Sequence, residues 1–113
     1  MVRVLVTVEP RMYREAIALA VQRGRPEAEV MLVSEEVMDG QVKDFAPHVL
    51  VRNDSGRAVP EGLLGSVVCR MEVLYTDGMA ARVSVGGSSY TIEDASMEDL
   101  LALVDKAEEQ VSG

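Results

Sequence analysis

Five polar residues follow apolar segments of this sequence, and their types could support chemistry if the fold brings them together. Glu9 follows the first apolar run, Asn53 and Asp54 follow another, Thr76 ends an alternating segment and Glu93 follows the next. Because open α/β sheets bind ligands outside the carboxyl ends of their strands, we predict one surface patch with Glu93 at its rim. Carboxylates gathered there would raise one another's pKa or hold a hard cation. The alternative is that Asn53 and Asp54 only cap a turn.

The remaining reactive side chains favour structural roles. The only histidine, His48, follows Pro47 at the start of an apolar segment, with no obvious nucleophile beside it. Cys69 lies in an alternating apolar segment and is predicted to be a packed thiol. The pair Gly86-Gly87 precedes no helix, so it indicates a turn and not a phosphate-binding loop. We therefore predict no catalytic residue, no metal site and no cofactor.

The first half of the chain predicts a βαβαβ unit. Nearly continuous β-branched runs are typical of strands covered on both faces, and apolar residues at three- and four-residue steps indicate amphipathic helices. The predicted elements are a strand at Val2–Val8, a helix from Pro10 that stops at Gly24, a strand at Glu29–Ser34, a weak helix at Glu35–Asp44 and a strand at His48–Arg52.

The second half changes to a two-residue period, which predicts an antiparallel meander over Val67–Ile92. A three-residue loop at Asp77-Gly78-Met79 would set Val73 opposite Val83. A second turn at Gly86-Gly87-Ser88-Ser89 would place Tyr90 and Ile92 on the face of Val83 and Val85. Whether residues 57–66 contain a helical turn stays open.

The last predicted element is a helix that begins after Ser96, where Ser96 and Asp99 resemble a capping box. Its apolar stripe runs from Met97 to Val111. Together these elements predict a single α/β domain over residues 1–113, a flavodoxin-like three-layer sandwich. In it, a βαβαβ half is followed by an antiparallel meander and a C-terminal helix.

Composition and charge narrow the class of protein. The sequence has 113 residues, of which 48% are hydrophobic and 27% charged, and this balance is typical of one globular domain. A formal charge of −8 repels phosphate backbones and anionic membranes, so we expect no nucleic-acid partner and no membrane. With no apolar run near the length of a membrane span, we expect a cytoplasmic protein.

The charge is also uneven along the chain. Residues 1–26 hold five arginines and two acids, whereas residues 93–109 hold seven acids and one lysine. The two ends could attract each other or partners of opposite charge. The plainer interpretation is an acidic helix that faces solvent.

Three segments resemble the receiver domains of bacterial response regulators. Arg3-Val4-Leu5-Val6 with Glu9 and Tyr13-Arg14-Glu15-Ala16 are similar to the first strand, acidic corner and first helix of that family. Ala46-Pro47-His48-Val49-Leu50-Val51 resembles the strand that leads to the phosphoacceptor. Tyr90-Thr91-Ile92-Glu93-Asp94-Ala95-Ser96 resembles the stretch around the family's lysine. The resemblance covers the first half and the final quarter of the chain.

The resemblance implies a phosphoryl-transfer pocket whose chemistry is altered. Carried over by position, the acidic pair becomes Val8-Glu9, the nucleophile becomes Asn53, the hydroxyl becomes Thr76 and the lysine becomes Glu93. An amide cannot usefully attack phosphorus, one carboxylate binds Mg²⁺ weakly, and a glutamate repels phosphate. Asp54 is a poor substitute, because a shift of one residue turns a strand side chain to the other face.

The function implied is a stand-alone pseudo-receiver. Such a protein would be a phosphorylation-independent protein–protein interaction module in signalling or regulation, and not an enzyme. Its protein partner is unknown, and the exposed edge of the predicted meander suggests a homodimer. The alternative is a protein, or an enzyme, that binds a small molecule or a divalent metal at the patch of strand ends.

Overall fold

The computed structural model of the chain describes residues 2–9, 11–34, 44–53, 65–76 and 78–112, and within them it is an α/β fold. One mixed sheet contains six strands in the order β2-β1-β3-β4-β5-β6. The elements in chain order are β1 (Arg3–Val6), α1 (Arg11–Gly24), β2 (Glu29–Leu32), β3 (Val49–Asn53), β4 (Cys69–Thr76), β5 (Gly78–Val85), β6 (Ser88–Ile92) and α2 (Met97–Ser112).

Four neighbouring strands of the sheet, β2, β1, β3 and β4, are parallel. The sequence predicted this arrangement for β1, β2 and β3. β1 pairs with β2 on one side and β3 on the other, and β3 pairs with β4. Their carboxyl ends therefore lie at one edge of the sheet. The predicted weak helix at Glu35–Asp44 and most of segment 57–66 lie outside the described residues.

The meander is confirmed, but the predicted register of its first hairpin is wrong by two residues. Val73 lies opposite Ala81, and Thr76 lies opposite Gly78, so the turn is tighter than the three-residue loop. The same face of β5 still meets β4, because strand side chains alternate with period two. The observed register also sets Glu72 opposite Arg82, a cross-strand pair of opposite charges.

The second hairpin has the predicted faces, but its turn is shorter than the predicted one, because Ser88 and Ser89 belong to β6. Val85 lies opposite Ser88, and the two residues between them form the turn. Gly86 has a φ of 58°, in the left-handed region that glycine adopts without a steric cost. Tyr90 lies opposite Val83, on the face predicted for it.

The two helices that the structure describes pack against the same face of the sheet, so the described residues show two layers where three were predicted. The even-numbered valines of β1 belong to a core that includes Ala18 and Val21 of α1 and Leu103 of α2. The first turn of α1 departs from the predicted apolar stripe, because Met12 is 68% exposed. Tyr13 beside it is 49% exposed, so this helix buries its face only from its second turn onwards.

The opposite face of the sheet holds a second, smaller cluster. Leu5 and Leu50 are fully buried there, with Met31, Val33 and Val67 partly buried around them. This clustering on both faces explains why β1 and β3 read as continuous apolar runs in the sequence.

A local cap fixes the amino end of α2, and an ion pair joins its middle to the residue after α1. The backbone N–H and the hydroxyl of Ser96 both donate to Asp99 Oδ2, at 2.8 and 3.1 Å, which confirms the reciprocal half of the capping box. Further along α2, Asp105 accepts two hydrogen bonds of 2.6 Å from Arg25, just after α1. The basic first segment and the acidic last segment therefore attract each other at this pair. The guanidinium of Arg25 also lowers the pKa of the Asp105 carboxyl.

No helix within the described residues is both long and apolar enough to cross a membrane.

Candidate functional site at the carboxyl edge of the sheet

The structure brings Glu9 and Asn53 together, as the strand-end argument predicted. β1 has neighbours on both sides, and the chain crosses from β2 to β3 around it, so the carboxyl ends of β1 and β3 form a topological switch point. The backbone N–H of Glu9 donates to Asn53 Oδ1 at 2.6 Å. In return, Asn53 Nδ2 lies 3.4 Å from the backbone oxygen of Glu9.

Asn53 extends the β1–β3 ladder by one step with its side chain. The ladder's preceding bond runs from Thr7 N–H to the backbone oxygen of Val51 at 2.9 Å. Two residues further on, the side-chain amide of Asn53 takes the place of a backbone group. An amide can both donate and accept, whereas a carboxylate only accepts, so this reciprocal contact needs asparagine. The contact gives Asn53 a structural role, but it joins two strands and is not the local turn cap that the alternative predicted.

The carboxylate of Glu9 is held by Arg14, a residue that the sequence argument missed. Arg14 Nη1 donates to Glu9 Oε1 at 3.0 Å. The Arg14 side chain is only 12% exposed, whereas that of Glu9 is 50% exposed. The signal in the sequence is an arginine early in the helix that follows the strand. Its positive charge offsets the carboxylate that Glu9 would offer a cation.

Arg52 lies next to Asn53 on the other face of the sheet, and it is 1% exposed. In the ladder it pairs with Glu72 of β4, which in turn pairs with Arg82 of β5. A charged row therefore crosses three strands beneath the switch point. The sequence signal for this row is a charged residue that interrupts an apolar run.

Thr76 and Glu93 lie at the same edge of the sheet but away from Asn53. Asn53 pairs with Val73, so Thr76 lies three residues, about 10 Å, further along β4. Val73 pairs in turn with Ala81 of β5, and Ala81 pairs with Ile92 of β6. Glu93 follows Ile92. Three strand spacings place Glu93 about 14 Å from Asn53, too far for their side chains to touch. Asp54 lies outside the described residues.

His48 lies at the opposite edge of the sheet, at the amino end of β3. Its Nδ1 accepts a hydrogen bond of 3.0 Å from the backbone N–H of Arg3, and its Nε2 lies 3.2 Å from Arg3 Nη2. Burial, and then the positive charge of Arg3, lower the pKa of His48 below its ordinary value of 6.5. His48 therefore holds β1 against β3 in its neutral form.

We expect acidification to weaken the fold through His48. The unfolded chain binds a proton near pH 6.5, while the folded chain resists it, so the free energy of unfolding should fall as the pH drops below 6.5. Urea unfolding at pH 7.5 and pH 5.5 measures this loss. His48→Gln, which cannot titrate, should lose less stability over the same interval; equal losses in the two proteins would contradict the assignment.

Cys69 is a packed thiol, as predicted. It is 1% exposed within the helix-covered core, and burial raises its pKa. Within the described residues no group of three or more His, Cys, Asp or Glu side chains is placed to hold a metal ion.

A cavity of about 490 Å³ opens beside this edge, between the start of α1 and the end of β2. Its lining residues include Arg11, Arg14, Leu32 and Ser34. The site thus consists of the Glu9–Asn53 contact, the Arg14 ion pair and this neighbouring cavity. Compared with family models, curated proteins and solved structures, the chain matches none, so its functional interpretation depends on this geometry.

Proposed function

We propose that the protein is a stand-alone pseudo-receiver, a phosphorylation-independent protein–protein interaction module in signalling or regulation, and not an enzyme. One observation carries the proposal: at the β1–β3 switch point, the position of the phosphoacceptor holds Asn53, which is hydrogen-bonded to the backbone of Glu9. The side chain that would attack phosphorus in a receiver serves here to join two strands.

The electrostatics of the edge support the same proposal. Receiver chemistry needs a magnesium ion, which prefers several oxygen ligands and tolerates few substitutes. Glu9 offers one carboxylate, and Arg14 already binds it. Where the resemblance places a lysine that would pair with phosphate, this chain has the exposed Glu93. Each difference weakens the binding of a phosphoryl group.

The strand order is compatible with a flavodoxin-like scaffold. The order of the four parallel strands, β2-β1-β3-β4, matches the first four positions of the flavodoxin-like 2-1-3-4-5 order. β6 is antiparallel to β5, which is antiparallel to β4, so β6 again runs with the parallel strands and precedes α2. β5 thus stands where a receiver has its fourth helix, a surface on which receivers commonly interact. We infer a receiver-like scaffold with a remodelled output face.

The experiment is exposure to a small-molecule phosphodonor. Incubation with Mg²⁺ and acetyl phosphate should leave the intact mass of the protein unchanged, because the amide of Asn53 cannot attack phosphorus and Arg14 already binds the carboxylate of Glu9. Mass spectrometry measures the result. A gain of one phosphoryl group that is lost in Asn53→Ala or Asp54→Ala would contradict the proposal.

The second candidate is a protein or enzyme that binds a small molecule or a divalent metal at this edge, and the cavity beside Arg11 and Arg14 favours its small-molecule form. A thermal-shift screen with Mg²⁺, Ca²⁺, Mn²⁺ and nucleotides separates the two. A ligand at one hundred times its dissociation constant adds about 2.7 kcal/mol to the stability of the fold. The interaction proposal predicts no such gain with any of these ligands.

A further inference from the structure

No strand in the part of the chain that the structure describes pairs with the outer edge of β6. β6 is the last strand of the sheet, and Ser88, Ser89, Tyr90 and Thr91 are exposed. Natural edge strands usually discourage pairing with charged residues, prolines or bulges, and the five residues of β6 include no charge and no proline. The other edge strand, β2, starts with Glu29 and contacts α1.

The hairpin geometry determines which backbone groups of β6 face outwards. In a hairpin with a two-residue turn, the residues that flank the turn, here Val85 and Ser88, form a hydrogen-bonded pair. Hydrogen-bonded and non-hydrogen-bonded pairs then alternate along an antiparallel ladder. Ser88, Tyr90 and Ile92 therefore bond to β5, and the backbone N–H and C=O of Ser89 and Thr91 point away from the sheet.

We propose that β6 pairs with β6 of a second copy of this chain, antiparallel, about a twofold axis at Tyr90. In this register Ser89 of one copy lies opposite Thr91 of the other, and the twofold axis produces this pair twice. Each pair makes two backbone hydrogen bonds, so the outward N–H and C=O groups of both residues form four in all. Twofold registers centred on Ser89 or Thr91 would align fewer outward-facing residues within the strand. The inference rests on the proposed interaction role and names a second copy as the partner.

The charges around β6 fit a second copy. Each chain carries a net charge of −8, so most of its surface repels another copy, but β6 itself is uncharged. The register about Tyr90 sets Glu93 opposite Gly87 and keeps the two glutamates apart. Two chains can therefore approach along this edge without bringing Glu93 of one copy against Glu93 of the other.

The side chains of β6 fit the same pairing. Tyr90 is 43% exposed and lies under Lys106, whose Nζ is 3.3 Å from the Tyr90 hydroxyl and 5.5 Å from the ring centre. About the twofold axis the two tyrosines form a direct cross-strand pair, an arrangement that aromatic residues favour. On the other face, Ser89 meets Thr91, and their hydroxyls can hydrogen-bond.

The interface is small, so the dimer is weak. A ladder of five residues buries less than the roughly 1,200 Å² of a standard stable interface. Since the two chains repel each other at long range, salt should tighten the dimer by screening that repulsion. We therefore expect association that grows with protein concentration and with ionic strength.

Sedimentation velocity of the full chain tests the surface. The protein should shift from monomer towards dimer as its concentration rises, and further at high salt. Thr91→Pro removes an outward N–H on the edge strand and should stay monomeric, whereas Thr91→Val keeps that N–H and should still dimerise. Circular dichroism confirms that each variant is folded. A wild-type monomer at millimolar concentration and high salt, or a folded Thr91→Pro protein that dimerises like the wild type, would overturn the proposal.

Cysteine cross-linking tests the register. In Tyr90→Cys the two introduced thiols would face each other in a non-hydrogen-bonded pair, with Cα atoms about 4.5 Å apart, a separation that a disulfide spans. In the matched variant Thr91→Cys they would be about 8 Å apart, beyond that reach. Mild oxidation should cross-link the first variant several times faster than the second, while the buried Cys69 stays reduced.

Equal rates for the two variants, or no cross-link in Tyr90→Cys, would overturn the register. Failure of either test would leave the acetyl phosphate result unchanged, so a wrong dimer surface is distinguishable from a wrong function.

Discussion

Leu103→Ala is expected to lower the free energy of unfolding by about 2–5 kcal/mol, the range of large-to-small substitutions in cores. Leu103 is 2% exposed and lies in the cluster where α2 meets the helix-covered face of the sheet. Removing its isobutyl group loses apolar burial and leaves a cavity that the packed valines of β1 cannot fill. Chemical denaturation at pH 7.5 measures the loss.

Leu19→Ala is the matched control for this prediction. Leu19 lies in α1 but is 47% exposed, so the same substitution should change stability by no more than about 0.5 kcal/mol. If Leu103→Ala and Leu19→Ala lost equal stability, the burial of Leu103 between α2 and the sheet would be contradicted.

Asn53→Ala is expected to cost about 1–2 kcal/mol, since it removes both hydrogen bonds to the backbone of Glu9. Asn53→Asp should also destabilise the fold, by about 1 kcal/mol, because a carboxylate keeps the acceptor but loses the donor that faces the Glu9 carbonyl. Urea unfolding of the three proteins at pH 7.5 gives both differences.

Glu93→Gln is the control for the Asn53 variants. Glu93 lies at the same edge of the sheet and is exposed, so its substitution should change stability by less than about 0.5 kcal/mol. If Asn53→Ala left the free energy of unfolding unchanged, the Asn53 amide would not hold β1 to β3. That result would remove the main support for the proposed function.

The periodic parts of the fold could be predicted from the sequence. The apolar runs of β1 and β3, the alternation of β4 and the cap at Ser96 each depend on neighbours within a few residues. The register of the first hairpin was wrong because the turn dipeptide at Asp77-Gly78 is compatible with several loop lengths. The pairing of Glu72 with Arg82 favours the observed register.

The candidate site could be predicted only in outline. The proximity of Glu9 and Asn53 could be predicted, because the rule that parallel strands end at one side of the sheet depends on topology alone. The rule did not predict that the amide bonds to the backbone 44 residues away, nor that Arg14 binds Glu9. The same rule placed Thr76 and Glu93 in the patch, because it does not give their distances from Asn53, which depend on the register and on the position of β5 between β4 and β6.

Under the proposed function the switch point does not hold a phosphoryl group, because Asn53 and Arg14 already bind Glu9. Beryllofluoride is an analogue of an acyl phosphate. Amide NMR spectra, recorded while Mg²⁺ and beryllofluoride are added, show whether it binds at Glu9 and Asn53. If the proposed function is right, the amide signals of Glu9 and Asn53 do not shift during the titration. A saturable shift of both signals would contradict it.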